Sequence, residues 1–281
     1  MFKTKLIAAA IALGVSGFAN ASITATDTGN AEFVFSAFDS SSGKGYTYDL
    51  SDLGWDDVFG SNVKMNSIIS ATHSTSAIGS TLLAVPANRV LFDLALPSFS
   101  AFVEGGANVS NLKWNLVSAE SVGTRRMIQT VTTDPTAPLT NAALFTSIAN
   151  FNIHVGAVNG KGTNVGGDVL SDGYALTVQA DGTAYAGNLG SNFGGQGYSS
   201  TGGINDELSL WVFGSTSTTT NQNAGRVAQL LSASGQEVVA RVYNGADGYR
   251  LQVAVVPEPE TYAMLLAGLG LLGFAARRKN A

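Results

Sequence analysis

Alternation of apolar and polar residues is the dominant pattern in the body of the chain, residues 22–255. Over residues 32–38 an extended chain places Phe33 and Phe35 on the same face. Residues 43–50 begin with a Gly-Lys-Gly turn and continue as a second strand-like stretch. The pattern therefore predicts a β-hairpin near the start of the body.

A second hairpin is predicted near the end of the body. Residues 238–243 and 249–255 flank two turn dipeptides that end in glycine. In the later strand Leu251 shares a face with other apolar residues, opposite Arg250 and Gln252. The remaining predicted strands are residues 81–96 (one or two strands), 112–119, 174–178 with its hairpin partner 183–186, and 208–213.

Helical patterns are clearest in two stretches of the body, and residues 53–59 could form one further helical turn. Thr140 is a candidate N-cap for a helix at residues 141–150, in which Leu144 and Ile148 are four residues apart. A shorter helix is predicted at residues 97–103, opened by a proline. Many short strands, Gly-rich turns and no fixed-period repeat favour a mainly β fold. We expect a β-sandwich, with the jelly roll as one form of it, carrying one or two short helices.

The first 21 residues have the three parts of a secretory signal peptide. Lys3 and Lys5 make the start basic, and a Gly-containing apolar stretch follows. Ala19 and Ala21 then supply the small-x-small pattern that a signal peptidase cleaves, which predicts a cut before Ser22. An uncleaved N-terminal anchor is the alternative, although the stretch is shorter than the ~20 residues that span a bilayer.

Residues 256–281 also combine three features. Pro257, Glu258 and Pro259 interrupt strand pairing and give an extended, accessible linker. An apolar segment at about residues 261–276 contains glycines that suit close helix contact inside a membrane and predicts a transmembrane helix. The basic cluster that follows should stay cytoplasmic and stop transfer, and consists of Arg277, Arg278 and Lys279.

This order of parts resembles the PEP-CTERM sorting signal, in which a Pro-Glu-Pro motif precedes a short transmembrane helix and an Arg-rich end. The resemblance implies recognition by an exosortase, a membrane-embedded cysteine protease-transpeptidase, with processing near residues 257–259. It also implies a Gram-negative host that makes exopolysaccharide. The chain would be held in the inner membrane only until processing, and would then reach the cell surface or the extracellular matrix. A permanent membrane anchor is the alternative.

Charge and composition narrow the choice of partner. Only 12% of residues are charged and the formal net charge is −5. The body is more acidic than the whole chain, because much of the positive charge lies in the two terminal segments. An acidic body argues against nucleic acid as a partner. There is no cysteine, which excludes disulfides and thiolate chemistry in this chain.

No catalytic motif stands out in the body. His73 and His154 are the only histidines, and neither lies in a setting typical of a Ser-His-Asp triad or a zinc peptidase. We interpret both as surface or hydrogen-bonded histidines. Asp56 and Asp57 are adjacent, so a strand would point them to opposite faces and not across a glycosidase cleft. We therefore expect a protein that is not an enzyme.

A Gly- and Asn-rich segment, residues 159–172, is the one candidate site for a bound cation. Asn164, Asp168 and Asp172 offer oxygen ligands for Ca²⁺ in a loop that glycines make flexible, without EF-hand spacing. A plain loop is the alternative. No other cofactor is predicted.

Aromatic side chains are the candidate contacts for sugar rings. Trp55, Trp114 and Trp211 lie in apolar settings and are predicted to be core residues. Tyr198 lies among Gly, Gln and Ser and is predicted to be the most exposed of the candidates.

The leading hypothesis is an exported, non-enzymatic protein of the cell surface or matrix, with a structural or glycan-binding role in exopolysaccharide or biofilm. Signal peptidase and exosortase would be its processing enzymes. The first alternative is a secreted hydrolase that acts on glycans. The second is a periplasmic protein anchored permanently in the membrane.

Overall fold

The computed structural model describes residues 31–54, 58, 78–82, 89–121, 123–161 and 173–256. Within these ranges eleven strands, numbered β1 to β11 in chain order, form one sheet. They are Glu32–Asp39, Lys44–Gly54, Ile78–Leu82, Val90–Ala95, Lys113–Glu120, Arg126–Val131, Tyr174–Val178, Glu207–Gly214, Arg226–Leu231, Glu237–Gly245 and Gly248–Val256. The α-helices are α1, Phe99–Glu104, and α2, Asn141–Lys161. Short 3₁₀ turns lie at Val109–Asn111, Gln179–Ala184 and Ala186–Asn188.

The strand order along the sheet is β4-β11-β10-β9-β8-β6-β5-β1-β2-β7. Neighbours in this order are antiparallel, while β3 pairs in parallel with β9. The mainly β class is confirmed. The sandwich arrangement was wrong, because the described strands belong to one hydrogen-bonded sheet and not to two stacked ones. Residues from both ends of the strand order share one apolar cluster, so the sheet is curled.

The inside of the curl holds the larger core. Phe33 and Phe35 of β1 are fully buried there, as their alternation predicted. Trp114 of β5 is also fully buried, and its ring lies 6.0 Å from that of Phe35. Leu251 and Val253 of β11, near the other end of the strand order, belong to the same cluster. We call this cluster the inner core.

Helix α1 joins the two ends of the curled sheet. Its residue Phe99 is fully buried, and its ring centroid lies 5.0 Å from that of Tyr46 on β2 and 5.2 Å from that of Tyr249 on β11. The hydroxyl of Tyr46 donates a hydrogen bond to the carbonyl of Pro97 just before the helix. The short helix predicted at residues 97–103 is therefore confirmed, and it fills the opening between the sheet ends.

Helix α2 packs on the outer side of the sheet. The hydroxyl of Thr140 accepts the N–H of Ala143 at 3.1 Å, which confirms the predicted N-cap. Leu144 and Ile148 are buried as predicted, but the helix ends at Lys161 and not at residue 150. The apolar stripe continues at helical spacing through residues 151, 155 and 158, which explains the extra length.

The hairpins at both ends of the body are confirmed. In the first, β1 pairs with β2 in antiparallel register, with Phe38 opposite Gly45. In the last, β10 pairs with β11 along their whole length, and the turn lies between Gly245 and Gly248. Both were predictable because the two partners in each are adjacent in sequence.

The predicted hairpin that joins residues 174–178 to residues 183–186 was wrong. Strand β7 is real, but its partner is β2, with Thr47 opposite Ala175. The segment that follows forms a 3₁₀ turn, in which the carboxylate of Asp181 accepts the N–H of Val178 at 2.8 Å. This local hydrogen bond stabilises the turn, so the residues after β7 do not continue as a second strand. The backbone of β7 pairs instead with a strand over 120 residues away in the sequence.

Several predicted segments lie outside the described residues. They are the signal peptide with Ala19, Ala21 and Ser22, the candidate Ca²⁺ ligands Asn164, Asp168 and Asp172, and the whole tail from Pro257 to Ala281. Within the described ranges, neither helix combines the length and the apolar character that crossing a bilayer requires. The predicted transmembrane helix at about residues 261–276 lies outside the described residues.

Candidate binding face

The sheet presents a polar outer face on β4, β10 and β11, on the side away from the inner core. Alternation places Leu251 and Val253 inward, so Arg250 and Gln252 face outward, as the sequence predicted. Antiparallel pairing brings Gln252 opposite both Arg241 of β10 and a residue of β4. We call the resulting group the outer polar face. Its members are Asp93, Glu207, Arg241, Tyr243, Arg250 and Gln252.

Asp93 on β4 is the centre of this face. Its carboxylate accepts hydrogen bonds from the Tyr243 hydroxyl at 2.7 Å, from Nε of Arg250 at 2.7 Å and from Nε2 of Gln252 at 2.8 Å. Partial burial raises the pKa of Asp93, but these bonds and the Arg250 charge outweigh it and hold the pKa below its ordinary value. Asp93 therefore stays ionised and fixes the three side chains around it.

Arg241 occupies the more exposed half of the face. Its Nε donates to Oε1 of Gln252 at 2.9 Å, and its guanidinium lies 5.0 Å from the ring centroid of Tyr243. Glu207 lies opposite it, with an N–O distance of 3.7 Å, and both side chains are more than 40% exposed. Such an exposed ion pair adds little stability.

The chemistry of the face suits recognition of a neutral polyol. It offers a guanidinium, an amide and carboxylates, which are planar groups with paired donors or acceptors, beside one aromatic ring. The face carries two cationic side chains, Arg241 and Arg250, and two anionic ones, Asp93 and Glu207. Their charges cancel, so the face has no strong net field that would select a charged ligand. Within the described part of the chain, no group of three or more His, Asp or Glu side chains is placed to hold a metal ion.

His154 is a hydrogen-bonded residue of the interior, the second of the two settings predicted for it. His154 on α2 is buried, with Nδ1 2.9 Å from the carbonyl of Thr183 and Nε2 3.3 Å from the hydroxyl of Thr47. Burial lowers the pKa of His154 to about 4, and the bond to the Thr183 carbonyl offsets only part of this. It therefore stays neutral near pH 7. His73 lies outside the described residues.

The structure tests the predictions for three of the four aromatic candidates. Trp114 and Trp211 are core residues, as expected, while Trp55 lies outside the described residues. Tyr198 is partly exposed, so it is the most exposed of the described candidates, as predicted. Its ring stacks 5.7 Å from that of Phe213, and its hydroxyl donates to the carbonyl of Ala137. Through these contacts Tyr198 packs against the apolar cluster between α2 and the outer side of the sheet.

The sequence indicated only part of the outer polar face. Arg250 and Gln252 could be placed outward from the alternation of β11 alone. Asp93 could not, because it is 157 residues from Arg250 in sequence and strand partners that distant leave no local signal. The lone charge in the otherwise apolar stretch of β4 was the one available clue.

The comparison with protein families adds the functional context. The profile of the PEP-CTERM protein-sorting motif matches residues 255–279. The chain carries a PEP-CTERM sorting motif. This motif indicates an exported protein that an exosortase sorts to the outside of the cell. No curated protein and no solved structure matches the chain, so the type of the β domain rests on its own structure.

The Pro-Glu-Pro triple adjoins the sheet directly. Strand β11 ends at Val256, and the next residue is Pro257, the first of the Pro-Glu-Pro triple. The predicted sorting residues Pro257, Glu258 and Pro259 therefore follow the last strand without a spacer in the sequence, and the predicted stop-transfer residues lie at the far end of the tail.

Proposed function

We propose that this chain is a non-enzymatic protein of the cell surface or extracellular matrix, and that its β domain binds exopolysaccharide through the outer polar face. The PEP-CTERM motif is the observation that carries the proposal, because it directs the domain to where such polymers are found. The host is a Gram-negative bacterium, and its inner membrane holds the chain through the tail until the exosortase cuts it.

The outer polar face supports the glycan part of the proposal. Sugar rings present an apolar face to aromatic rings and rows of hydroxyls to planar polar groups, and Tyr243, Arg241 and Gln252 combine both. The acidic chain disfavours polyanions such as nucleic acid. A neutral polysaccharide is the ligand class that fits this charge balance.

The electrostatics of the face argue against hydrolysis. A glycosidase needs one carboxyl with a raised pKa to protonate the leaving group. The pKa of Asp93 is lowered, so it cannot serve as that acid. Burial raises the pKa of Glu120, but its carboxylate is buried and paired with Arg126, away from a bound polymer. A secreted hydrolase stays the alternative that an activity assay decides.

Processing is tested by intact mass of the protein from its native cells, with and without the exosortase. We expect loss of residues 1–21 and of the tail, with the tail lost only where the exosortase is present. Changing Pro257→Ala together with Glu258→Gln should leave the tail in place, while Glu260→Gln, an acidic neighbour outside the triple, should be processed normally. A full-length tail in both strains would establish the permanent anchor instead.

Glycan binding is tested with the processed protein and polysaccharide purified from the same cells. Replacing Tyr243 or Arg241 by alanine should weaken binding by about tenfold, as expected when a stacking or hydrogen-bonding contact worth ~1.4 kcal/mol is lost. Lys113→Ala, which removes an exposed basic residue of β5, is the matched control and should bind normally. Absence of binding by the unaltered protein would leave a purely structural role, and release of reducing ends would favour the hydrolase.

A further inference from the structure

Two residues belong both to the folded sheet and to the PEP-CTERM motif. The motif match begins at Val255, whereas β11 continues to Val256. Val255 is only 4% exposed, lies opposite Val238 and donates its N–H to the carbonyl of Arg89 at 2.8 Å. Val256 lies opposite Glu237 on β10. The start of the motif is therefore held on both sides by the domain.

Strand β11 cannot be lost without dismantling the domain. It lies between β10 and β4, and among the described pairings β4 joins the sheet only through β11. Leu251 and Val253 of β11 are fully buried in the inner core. A cut between Arg250 and Ala254 would remove residues of β11 that pair with β4. We therefore expect the mature domain to retain β11.

The sequence leaves little room for a protease between the sheet and the membrane. Four residues, 257–260, separate the end of β11 from the predicted membrane helix, and they span at most ~14 Å when extended. A protease that reads an extended segment takes in residues on both sides of the bond it cuts. Residues N-terminal to a cut near Pro257–Pro259 are those still paired in the sheet.

We propose that the end of β11 must separate from β10 and from Arg89 before the exosortase can act, so that the folded domain slows its own processing. The inference rests on exosortase processing as proposed above. Strand ends open locally at much lower free energy than the whole domain unfolds, so the opened state is reached without loss of the fold. The cut falls beyond Val256, and the rate depends on how often residues 255–256 are released.

A spacer insertion tests this dependence in the full chain, in native cells. Six Gly and Ser residues between Val256 and Pro257 would supply an extended segment without opening the sheet. We expect processing, followed by pulse-chase, to become roughly tenfold faster, the ratio that an opening cost of ~1.4 kcal/mol gives. The same insertion between Thr218 and Thr219, in an exposed loop, should leave the rate unchanged.

A reversible lock tests the same inference in the opposite direction. The chain has no cysteine, so the pair Glu237→Cys and Val256→Cys, which are direct partners in the sheet, has no competing thiol. We expect the oxidised pair to be processed at least tenfold more slowly, and reductant to restore the rate. The single Val256→Cys variant should behave like the unaltered chain and controls for the change in sequence.

The possible outcomes distinguish a failure of the strand-release inference from a failure of exosortase processing itself. Unchanged or slower processing after the spacer insertion, with no effect of the disulfide, would overturn this inference and indicate that the domain docks productively on the exosortase. A mature C-terminus within β11 would also overturn it. If the unaltered chain keeps its tail in both strains, the proposed exosortase processing itself fails.

Discussion

Replacing Phe99 by alanine is expected to lower the free energy of unfolding by about 3–5 kcal/mol. Phe99 is fully buried, and its ring contacts Phe35, Tyr46 and Tyr249, which come from three different strands. Truncation removes this apolar surface and leaves a cavity where the two ends of the sheet meet. Urea denaturation followed by tryptophan fluorescence measures the loss, because Trp114 lies in the same cluster.

Two variants separate packing from other effects. Phe99→Leu keeps most of the buried volume and should lose less stability than Phe99→Ala. Glu104→Ala changes an exposed residue of the same helix and should stay within about 0.5 kcal/mol of the unaltered protein. A loss below about 1 kcal/mol for Phe99→Ala would show that α1 does not hold the sheet ends together.

Local patterns were sufficient for the elements that the chain builds with its sequence neighbours. The alternation around Phe33 and Phe35 predicted β1 and its buried face, and Thr140 marked the start of α2. In both cases the signal and the structure it specifies lie within a few residues of each other. The last hairpin was predictable for the same reason.

Long-range pairing could not be predicted from these patterns. Strand β7 pairs with β2 and not with the next residues of the chain, although Asp181-Gly182 is a good turn dipeptide. The curl of the sheet likewise depends on α1 contacting both Tyr46 and Tyr249, which are far apart in sequence. Local propensity allowed several arrangements, and burial of the inner core selected one of them.

The outer polar face was likewise predictable only in part. Arg250 and Gln252 could be placed outward from alternation, but their common partner Asp93 is supplied by β4. The sorting motif could be recognised from the sequence because such a signal is read as a linear sequence, and the motif match at residues 255–279 confirms it. The transmembrane helix within the tail stays a prediction. The overlap of that signal with β11 required the structure.

The free energy of unfolding is also expected to fall by about 3 kcal/mol between pH 6.5 and pH 4 because of His154. Nδ1 of His154 donates to the Thr183 carbonyl, so in the neutral ring Nε2 carries no proton and accepts from the Thr47 hydroxyl. A second proton would place a charge in the core and remove this acceptor. Burial accordingly lowers the pKa of His154 to about 4 from the ordinary 6.5.

The sign follows from which state binds the proton first. As the pH falls below 6.5 the unfolded chain takes up a proton at His154, whereas the folded chain does so only near pH 4. The stabilisation is therefore complete above pH 6.5 and is lost progressively down to pH 4. The lowered pKa of Asp93 acts in a different window, because its stabilisation is lost only as the pH falls below about 4.

Comparison with His154→Asn isolates this contribution. Asparagine keeps a side-chain donor but cannot titrate, so its unfolding free energy should vary about 3 kcal/mol less between pH 6.5 and pH 4, whatever its stability at neutral pH. Glu120, whose pKa burial raises, stabilises the fold as the pH falls, but it is present in both proteins and cancels in the difference. Equal pH dependence in the two proteins would mean that His154 takes up its proton without loss of the fold, and that its site is open to water.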